Sequence, residues 1–328
     1  MSRAVGVIGV PTSAAAFAPG QEQAPRALRD AGLLAALREA GVAVQDHGDR
    51  EPWRWRPDRQ NPRAQNVQKI VEIVRETATL VGASAAAGEV TLVLGGDCTV
   101  GLGTVAGHVS ERSEQERVGL LYFDTHADLN VPDSVPEGAL DWMGMAHMLA
   151  IPGAVDQVVQ AGPRVPLLDP GDVLLFGWGP DQATRFERET IDRRRLAVVP
   201  VDQVADDPVA AATNALEQLG RRCDRLLIHF DVDVIDFTDV PLSENCGRNE
   251  GLAFDVAMRA LQALLPSPLV AGLTITELNP DHAEEGSDAI ERLIAAVAGG
   301  LAGGQAEAAS ELGGSSSITA RTSSTPNS

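Results

Sequence analysis

Residue types able to hold a metal recur at a fixed step in FDTHADLN (123–130), where Asp124, His126 and Asp128 alternate with Thr125 and Ala127. On extended backbone, residues two apart share a face. The three polar side chains therefore converge just past the apolar run GLLYF (119–123). HFDVDVID (229–236) repeats the device, with Asp231 and Asp233 following RLLIHF (225–230) at the same step. His229 precedes this pair and is expected to point away from it by strand alternation. In VLGGDCTVGLG (93–103), a third apolar run ends in a Gly-Gly-Asp turn, and Cys98 would aim a thiol at the same cluster. TITELNPDH (274–282) ends a fourth run at Glu277. A carboxylate there can bind a planar cation such as guanidinium through paired hydrogen bonds.

Charge decides what such a cluster is for. Four carboxylates gathered in a shielded site repel one another by several kcal/mol unless a counter-charge is present. Two divalent cations supply it. Carboxylate plus imidazole suits Mn²⁺ or Zn²⁺, and shared carboxylates suit a two-metal site that lowers the pKa of a shared water toward neutrality. Separate Asp residues capping separate helices would explain one of these motifs, but not both placed directly after apolar runs. The Gly run at 95–103 is not read as a phosphate cradle, because no Gly-Lys-Ser/Thr follows it. Gly101 and Gly103 are instead expected to let a helix approach the sheet closely.

The elements that must position these residues alternate along the chain. Strands are expected at 4–10, 42–44, 90–94, 119–123, 172–176, 196–201, 225–230 and 269–276. Helical patterns lie between most of them, including one helix over Ala24–Ala40 and another over Gln65–Gly82, and a Trp/Arg/Pro-rich loop fills 51–64. Short β-rich runs alternating with helices predict a mainly parallel sheet covered on both faces, with ligands beyond the carboxyl ends of its strands. Residues 1–302 are read as one domain and 303–328, rich in Gly, Ser and Thr, as a disordered tail. His147 is expected in the core, and His108 and His282 at the surface or a helix end.

Composition excludes several classes. The 328 residues carry 26 Lys+Arg against 46 Asp+Glu, a net charge of −20. Such a surface repels phosphate backbones and anionic membranes, so neither nucleic acid nor a membrane is an expected partner. No apolar stretch is long enough to span a bilayer. Three scattered cysteines, Cys98, Cys223 and Cys246, fit a reducing cytoplasm rather than a disulfide framework.

The motifs GGD, D-x-H-A-D-x-N, D-V-D-x-x-D and E-x-N-P, with the opening APGQEQAPRALRDAG, make the chain resemble the arginase/agmatinase/formiminoglutamase (ureohydrolase) superfamily over most of residues 4–300. The resemblance implies a three-layer α/β/α sandwich, a binuclear Mn²⁺ centre and hydrolysis of a guanidino or amidino C–N bond in a small molecule. It also implies a homo-oligomer, trimeric or hexameric. By resemblance, Asp124 and Asp231 bridge the metals, His126 and Asp233 complete one site, and Asp128 with residue 98 complete the other. Asp128 would also accept a hydrogen bond from the attacking water, Glu277 would orient the guanidinium, and Asn130 would line the substrate side.

The chain departs from that pattern at three places. The family's GGDH is GGDC here, and soft sulfur at Cys98 biases that side toward Zn²⁺. The family's S-G-N-L-H-G is E-G-A-L-D-W, which puts Glu137 and Ala139 where a substrate carboxylate would be held. The same change puts Asp141 at the place of a proton-shuttling histidine. The family's G-x-R-D-x-D is reduced to GWGPDQ (177–182), leaving Asp181 nearest to the amino-group ligand. One branch, the Nω-hydroxy-L-arginine amidinohydrolases, shares the Cys and lacks the shuttle His. Three functions compete: an amidinohydrolase acting on an arginine-like or hydroxyguanidine substrate, a deacetylase-like amide hydrolase, and a catalytically weakened binding protein. The second is disfavoured because the lone tyrosine, Tyr122, lies inside a strand. The third is disfavoured because unused clustered carboxylates are costly.

Overall fold

A computed structural model describes residues 3–113 and 115–314. In chain order the elements are β1 (Val5–Gly9), α1 (Ala24–Asp30), α2 (Leu33–Glu39), β2 (Val44–Asp49), α3 (Val67–Ala86), β3 (Val90–Leu94), α4 (Val100–Ser110), β4 (Val118–Phe123), α5 (Gly144–Met148) and α6 (Asp156–Val159). They continue with β5 (Val173–Trp178), α7 (Arg185–Arg194), β6 (Ala197–Pro200), α8 (Val201–Asp206), α9 (Pro208–Gly220), β7 (Arg225–Asp231), α10 (Phe254–Leu264), β8 (Val270–Thr276) and α11 (Ala289–Gly314). The strands form one eight-stranded sheet, parallel throughout, in the order β2-β1-β3-β8-β7-β4-β5-β6.

Alternation along each strand splits its apolar residues between two cores. Val5, Leu92, Phe123, Ile228 and Phe230 pack with α1, α2, α9, α10 and α11. Ile8, Val93, Tyr122 and Leu227 pack with α3, α4 and α5 on the other face. The expected α/β/α sandwich is therefore present. Every residue of β1, β3, β4 and β8 is buried, as strands covered on both faces require.

Two elements differ from expectation. The helix expected over Ala24–Ala40 is broken in two, because Gly32 takes a left-handed φ of 90° that ends one helix and turns the chain into the next. The second strand begins at Val44 rather than ending there, and its sequence VQDHGD is mostly exposed. It is an edge strand with β1 as its only neighbour, so no apolar alternation marks it. At the other end, α11 continues through residue 303 to Gly314, past the expected start of the tail. The remainder of that tail, 315–328, lies outside the described residues. Among the described residues no helix is long and apolar enough to cross a membrane.

Register brings the chemistry to one line. Leu94 pairs with Ile275, Ile275 with Phe230, and Phe230 with Phe123. The residues just after this row leave the sheet together at its carboxyl edge, on four adjacent strands. They include Asp124, Asp231, Glu277 and the Gly95–Cys98 turn.

Candidate metal centre

Each strand end is tied by its own backbone. Asp231 is the last residue of β7, and its Oδ1 accepts from the Asp233 amide at 2.8 Å, curling the chain into a short 3₁₀ turn. Asp124 Oδ1 accepts from the His126 amide at 2.6 Å in the same way. After β3, Gly96 passes so close to the β1 loop that a Cβ would lie 1.7 Å from the Thr12 carbonyl oxygen, so only glycine fits. Asp97 then accepts from the Ala15 amide at 3.0 Å and the Thr99 amide at 3.1 Å, pinning that loop to the start of α4. Two ionisable residues, Asp128 (φ 50°) and Glu277 (φ 62°), are held in the left-handed region. Such backbone costs on the order of 1–3 kcal/mol at a non-glycine residue and is concentrated at functional sites.

The side chains form three groups, two of which share Asp124, while Cys98 links one of those to a third with Asp231 and His229. Ligand atoms of Asp124, His126 and Asp233 lie within 4.8 Å of one another, and so do those of Cys98, Asp124 and Asp128. His126 turns Nδ1 toward Asp233 Oδ2 (3.0 Å) and Asp124 Oδ1 (3.3 Å). Its Nε2 lies 3.0 Å from Gln182 Oε1 and 3.1 Å from Asn245 Nδ2. The Cys98 thiol donates to Asp231 Oδ2 at 2.6 Å. Tyr122 Oη donates to Asp128 Oδ2 from beneath. Glu277 is held at both oxygens, by the Cys98 amide at 3.0 Å and by the Gln21 side-chain amide.

Charge in this cluster is unbalanced. Burial and then the neighbouring Asp233 raise Asp124 to about 7. Burial, followed by surrounding carboxylates, lifts Asp128, Asp231 and Glu277 well above the usual range. Burial opposes the charge on His126, but Asp233 and Asp124 outweigh it and raise the imidazole. Burial also opposes ionisation of Asp233, and His126 reverses that. Buried Asp124 Oδ2 and Asp233 Oδ1 have no hydrogen-bond partner among the described residues. Orphaned oxygens on two clustered carboxylates fit divalent cations, and the N/O/S donor set suits Mn²⁺ or Zn²⁺.

Above the cluster lies a cavity of about 310 Å³. Cys98, His126, Asp128, Asp231, Asp233 and Glu277 line it, together with Asn130, Asp141, Glu137 and Trp142. Asn130 Oδ1 accepts from Ser134 and Thr184 hydroxyls, each at 2.9 Å. Asp141 is buried and raised to about 8, by burial first and then by the charge of Asp97. Glu137 is exposed at the rim.

Several expectations need correction. Asp181 is exposed and does not line the cavity; its neighbour Gln182 does, and reaches His126. His229 does not point away from the cluster. Residues 229 and 231 share a face by the same period-2 rule, and the His229 ring lies within 4.8 Å of Cys98 and Asp231. Burial lowers its pKa to about 3. His108 is buried against β3 through Thr91 (2.9 Å) rather than at the surface. Gly103 and Gly107 face α3, whereas Gly101 alone faces the sheet, at His229. His147 is a core residue, as expected, with Nδ1 at 2.6 Å from the Met143 carbonyl.

Gln21, Tyr122, Gln182 and Asn245 were not singled out for the site. Gln21, Gln182 and Asn245 reach it from segments remote in sequence that no local spacing marks, whereas Tyr122 stands on the same step of two as Asp124 and Asp128.

The Arginase family profile matches residues 3–301. Human Arginase-1 is 27% identical over 302 residues, covering 90% of this chain and 91% of the relative. The arginase structure from Bacillus subtilis superposes with a TM-score of 0.80 at 23% identity, covering 91% of this chain and 98% of that one. A formiminoglutamase variant from Trypanosoma cruzi, solved with Mn²⁺, gives 0.68 at 17% identity, with 92% and 93% coverage. With its two Asp motifs on adjacent strand ends and a family match across nearly its whole length, the chain belongs to the arginase family.

Proposed function

We propose that this protein is a metal-dependent amidinohydrolase that cleaves a guanidino C–N bond of an arginine-like small molecule, releasing urea or a substituted urea. The observation that carries this reading is the pair of ligand groups sharing Asp124 beneath a cavity walled by Glu277. Two Mn²⁺, or Zn²⁺ on the Cys98 side, would supply Lewis acidity and a water activated at neutral pH. Asp124 and Asp231 would be shared between the two ions, with His126 and Asp233 on one side and Cys98 and Asp128 on the other. That a structural relative from Trypanosoma cruzi carries Mn²⁺ supports Mn²⁺ as one candidate metal.

The chain's own residues account for the rest. Glu277 has both oxygens fixed by donors and keeps lone pairs toward the cavity, the arrangement that orients a planar guanidinium. Asp128, held by Tyr122, accepts a hydrogen bond from the attacking water. As the water oxygen bonds to the guanidino carbon and its proton passes to Asp128, the C–N bond breaks and the leaving amine takes a proton. Asp141, raised to about 8, is protonated at neutral pH and is the proposed donor. Asn130 and Glu137 face the distal part of the substrate.

A second reading is favoured by Cys98 and by the lining of the cavity, where among the described residues His126 is the only imidazole. In it, the substrate is an Nω-hydroxyguanidine, which loses the same alkylamine but releases hydroxyurea in place of urea. Protein loaded with Mn²⁺ or Zn²⁺ would be screened against arginine, agmatine, guanidinobutyrate and Nω-hydroxyarginine, with urea and hydroxyurea measured separately. Turnover of one of them is expected, and hydroxyurea as the main product selects the second reading. No release from any guanidine, with metal shown to be bound, overturns the proposal.

A further inference from the structure

His229 is the buried imidazole beside the cluster that the proposed reaction leaves unused. It lies on β7 two residues before Asp231, on the face that carries α4. A ring nitrogen of His229, Cys98 Sγ and a carboxylate oxygen of Asp231 lie within 4.8 Å of one another, and all three side chains are buried. The ring is fixed in place. It stacks on Tyr122 with centroids 4.3 Å apart and planes 8° from parallel. Gly101 leaves room for it, since a Cβ there would come within 2.6 Å of Nδ1. The Thr276 hydroxyl sits between the pair, 3.0 Å from His229 Nε2 and 3.6 Å from Cys98 Sγ.

His229 Nδ1 is itself buried without a hydrogen-bond partner among the described residues. That nitrogen faces Gly101 on α4, whereas Nε2 lies on the side of Thr276, which Cys98 also reaches. Like Asp124, His229 is not among the residues that line the cavity.

We propose that Cys98, His229 and Asp231 form a thiolate–imidazole–carboxylate seat for Zn²⁺, in which β7 supplies the imidazole that position 98 lacks. The proposal rests on the metal-dependent reading for its location but not on the substrate. Sulfur, nitrogen and oxygen donors together match a four-coordinate zinc site better than an all-oxygen manganese site. Cys98 also belongs to the group with Asp124 and Asp128, so the seat adjoins that group through the thiol. On binding, the thiol gives its proton to solvent and the sulfur bonds to the ion, so loading this seat releases a proton.

The competing role for His229 is to position Thr276 by a hydrogen bond, with no metal contact. The test uses purified full-length protein stripped of metal and reloaded with Zn²⁺ or Co²⁺. Cobalt at this seat is expected to give a sulfur-to-metal charge-transfer band that Cys98→Ser abolishes. His229→Gln, which keeps an amide for Thr276, is expected to weaken Zn²⁺ binding at this seat by more than about 100-fold, beyond the 10–100-fold typical of losing a supporting partner. X-ray absorption on the unmodified protein with one zinc per chain needs no variant, and should show sulfur and imidazole on the same ion. Zinc with sulfur but no imidazole, zinc with no sulfur, or unchanged Zn²⁺ affinity and cobalt spectrum in His229→Gln would each overturn the seat. A seat confirmed in a protein that hydrolyses no guanidine would sink the hydrolase reading alone. Hydrolysis with metal binding indifferent to His229 would sink the seat alone.

Discussion

Tyr122 shows how much a single side chain can decide without touching substrate. Its hydroxyl is fully buried and donates to Asp128, and burial, then the Asp128 charge, pushes its pKa well above the usual value, so it stays a donor. Removing it in Tyr122→Phe leaves Asp128 free to turn. Metal affinity or turnover should fall by about 10–100-fold, read by metal titration and steady-state kinetics; a variant matching the parent in both would refute this role. Asp141 carries a different prediction. Its carboxyl, raised to about 8, holds a proton at neutral pH and loses it above that. kcat should therefore fall as pH rises through about 8 if Asp141 delivers the leaving-group proton. Asp141→Asn should lower kcat by about 10²–10⁴-fold with metal content kept and that pH limb removed. Unchanged kcat would move proton delivery elsewhere.

At the scale of elements, the site depends on α4 being pressed between the sheet and α3. Gly103 and Gly107 make that possible, since a Cβ at 103 would lie 2.5 Å from Thr77 Cβ and one at 107 would lie 2.7 Å from Val81 Cβ. Alanine usually stabilises a helix interior over glycine by nearly 1 kcal/mol. Here Gly103→Ala should instead destabilise by about 1–3 kcal/mol, because the clash forces α3 away. Denaturant unfolding gives the sign, and a stabilised variant would show that the helices have slack. The same residues show why the helix contact was misjudged from sequence. Small residues announce that something approaches, but not whether it is a strand or another helix.

For the whole molecule, the uncompensated carboxylates make stability depend on pH and metal together. Asp124 at about 7 and Asp141 at about 8 hold protons in the folded protein that the unfolded chain has released above about 4. Folded protein thus binds more protons, and stability falls as pH rises, by about 1.4 kcal/mol per unit for each such proton. Buried His108 and His147, lowered to about 4, and His229, lowered to about 3, oppose this below their unfolded value of about 6.5. Metal-free protein should therefore lose Tm between about pH 6.5 and 8. Divalent cations bind the deprotonated groups, so adding them should restore Tm most at pH 8. Thermal melts with and without chelator test this; a metal-free Tm that is flat or rising across that window would contradict it.

What the sequence determined by itself was local. Asp124, His126, Asp128, Asp231 and Asp233 were legible because their step of two follows directly after buried apolar runs, and strand geometry converts that step into a shared face. Cys98 and Glu277 were legible by the same strand-end position. The tertiary structure decided what lies between distant segments. The order β3-β8-β7-β4 sets residues 98, 277, 231 and 124 side by side, although β8 comes last in the chain. It also brought Gln21, Gln182 and Asn245 to the cluster and turned Asp181 out to solvent. Periodicity fixes the face on which a side chain stands. Which other side chains stand opposite depends on how the strands are ordered and how the helices pack on them, and no short stretch of sequence encodes that.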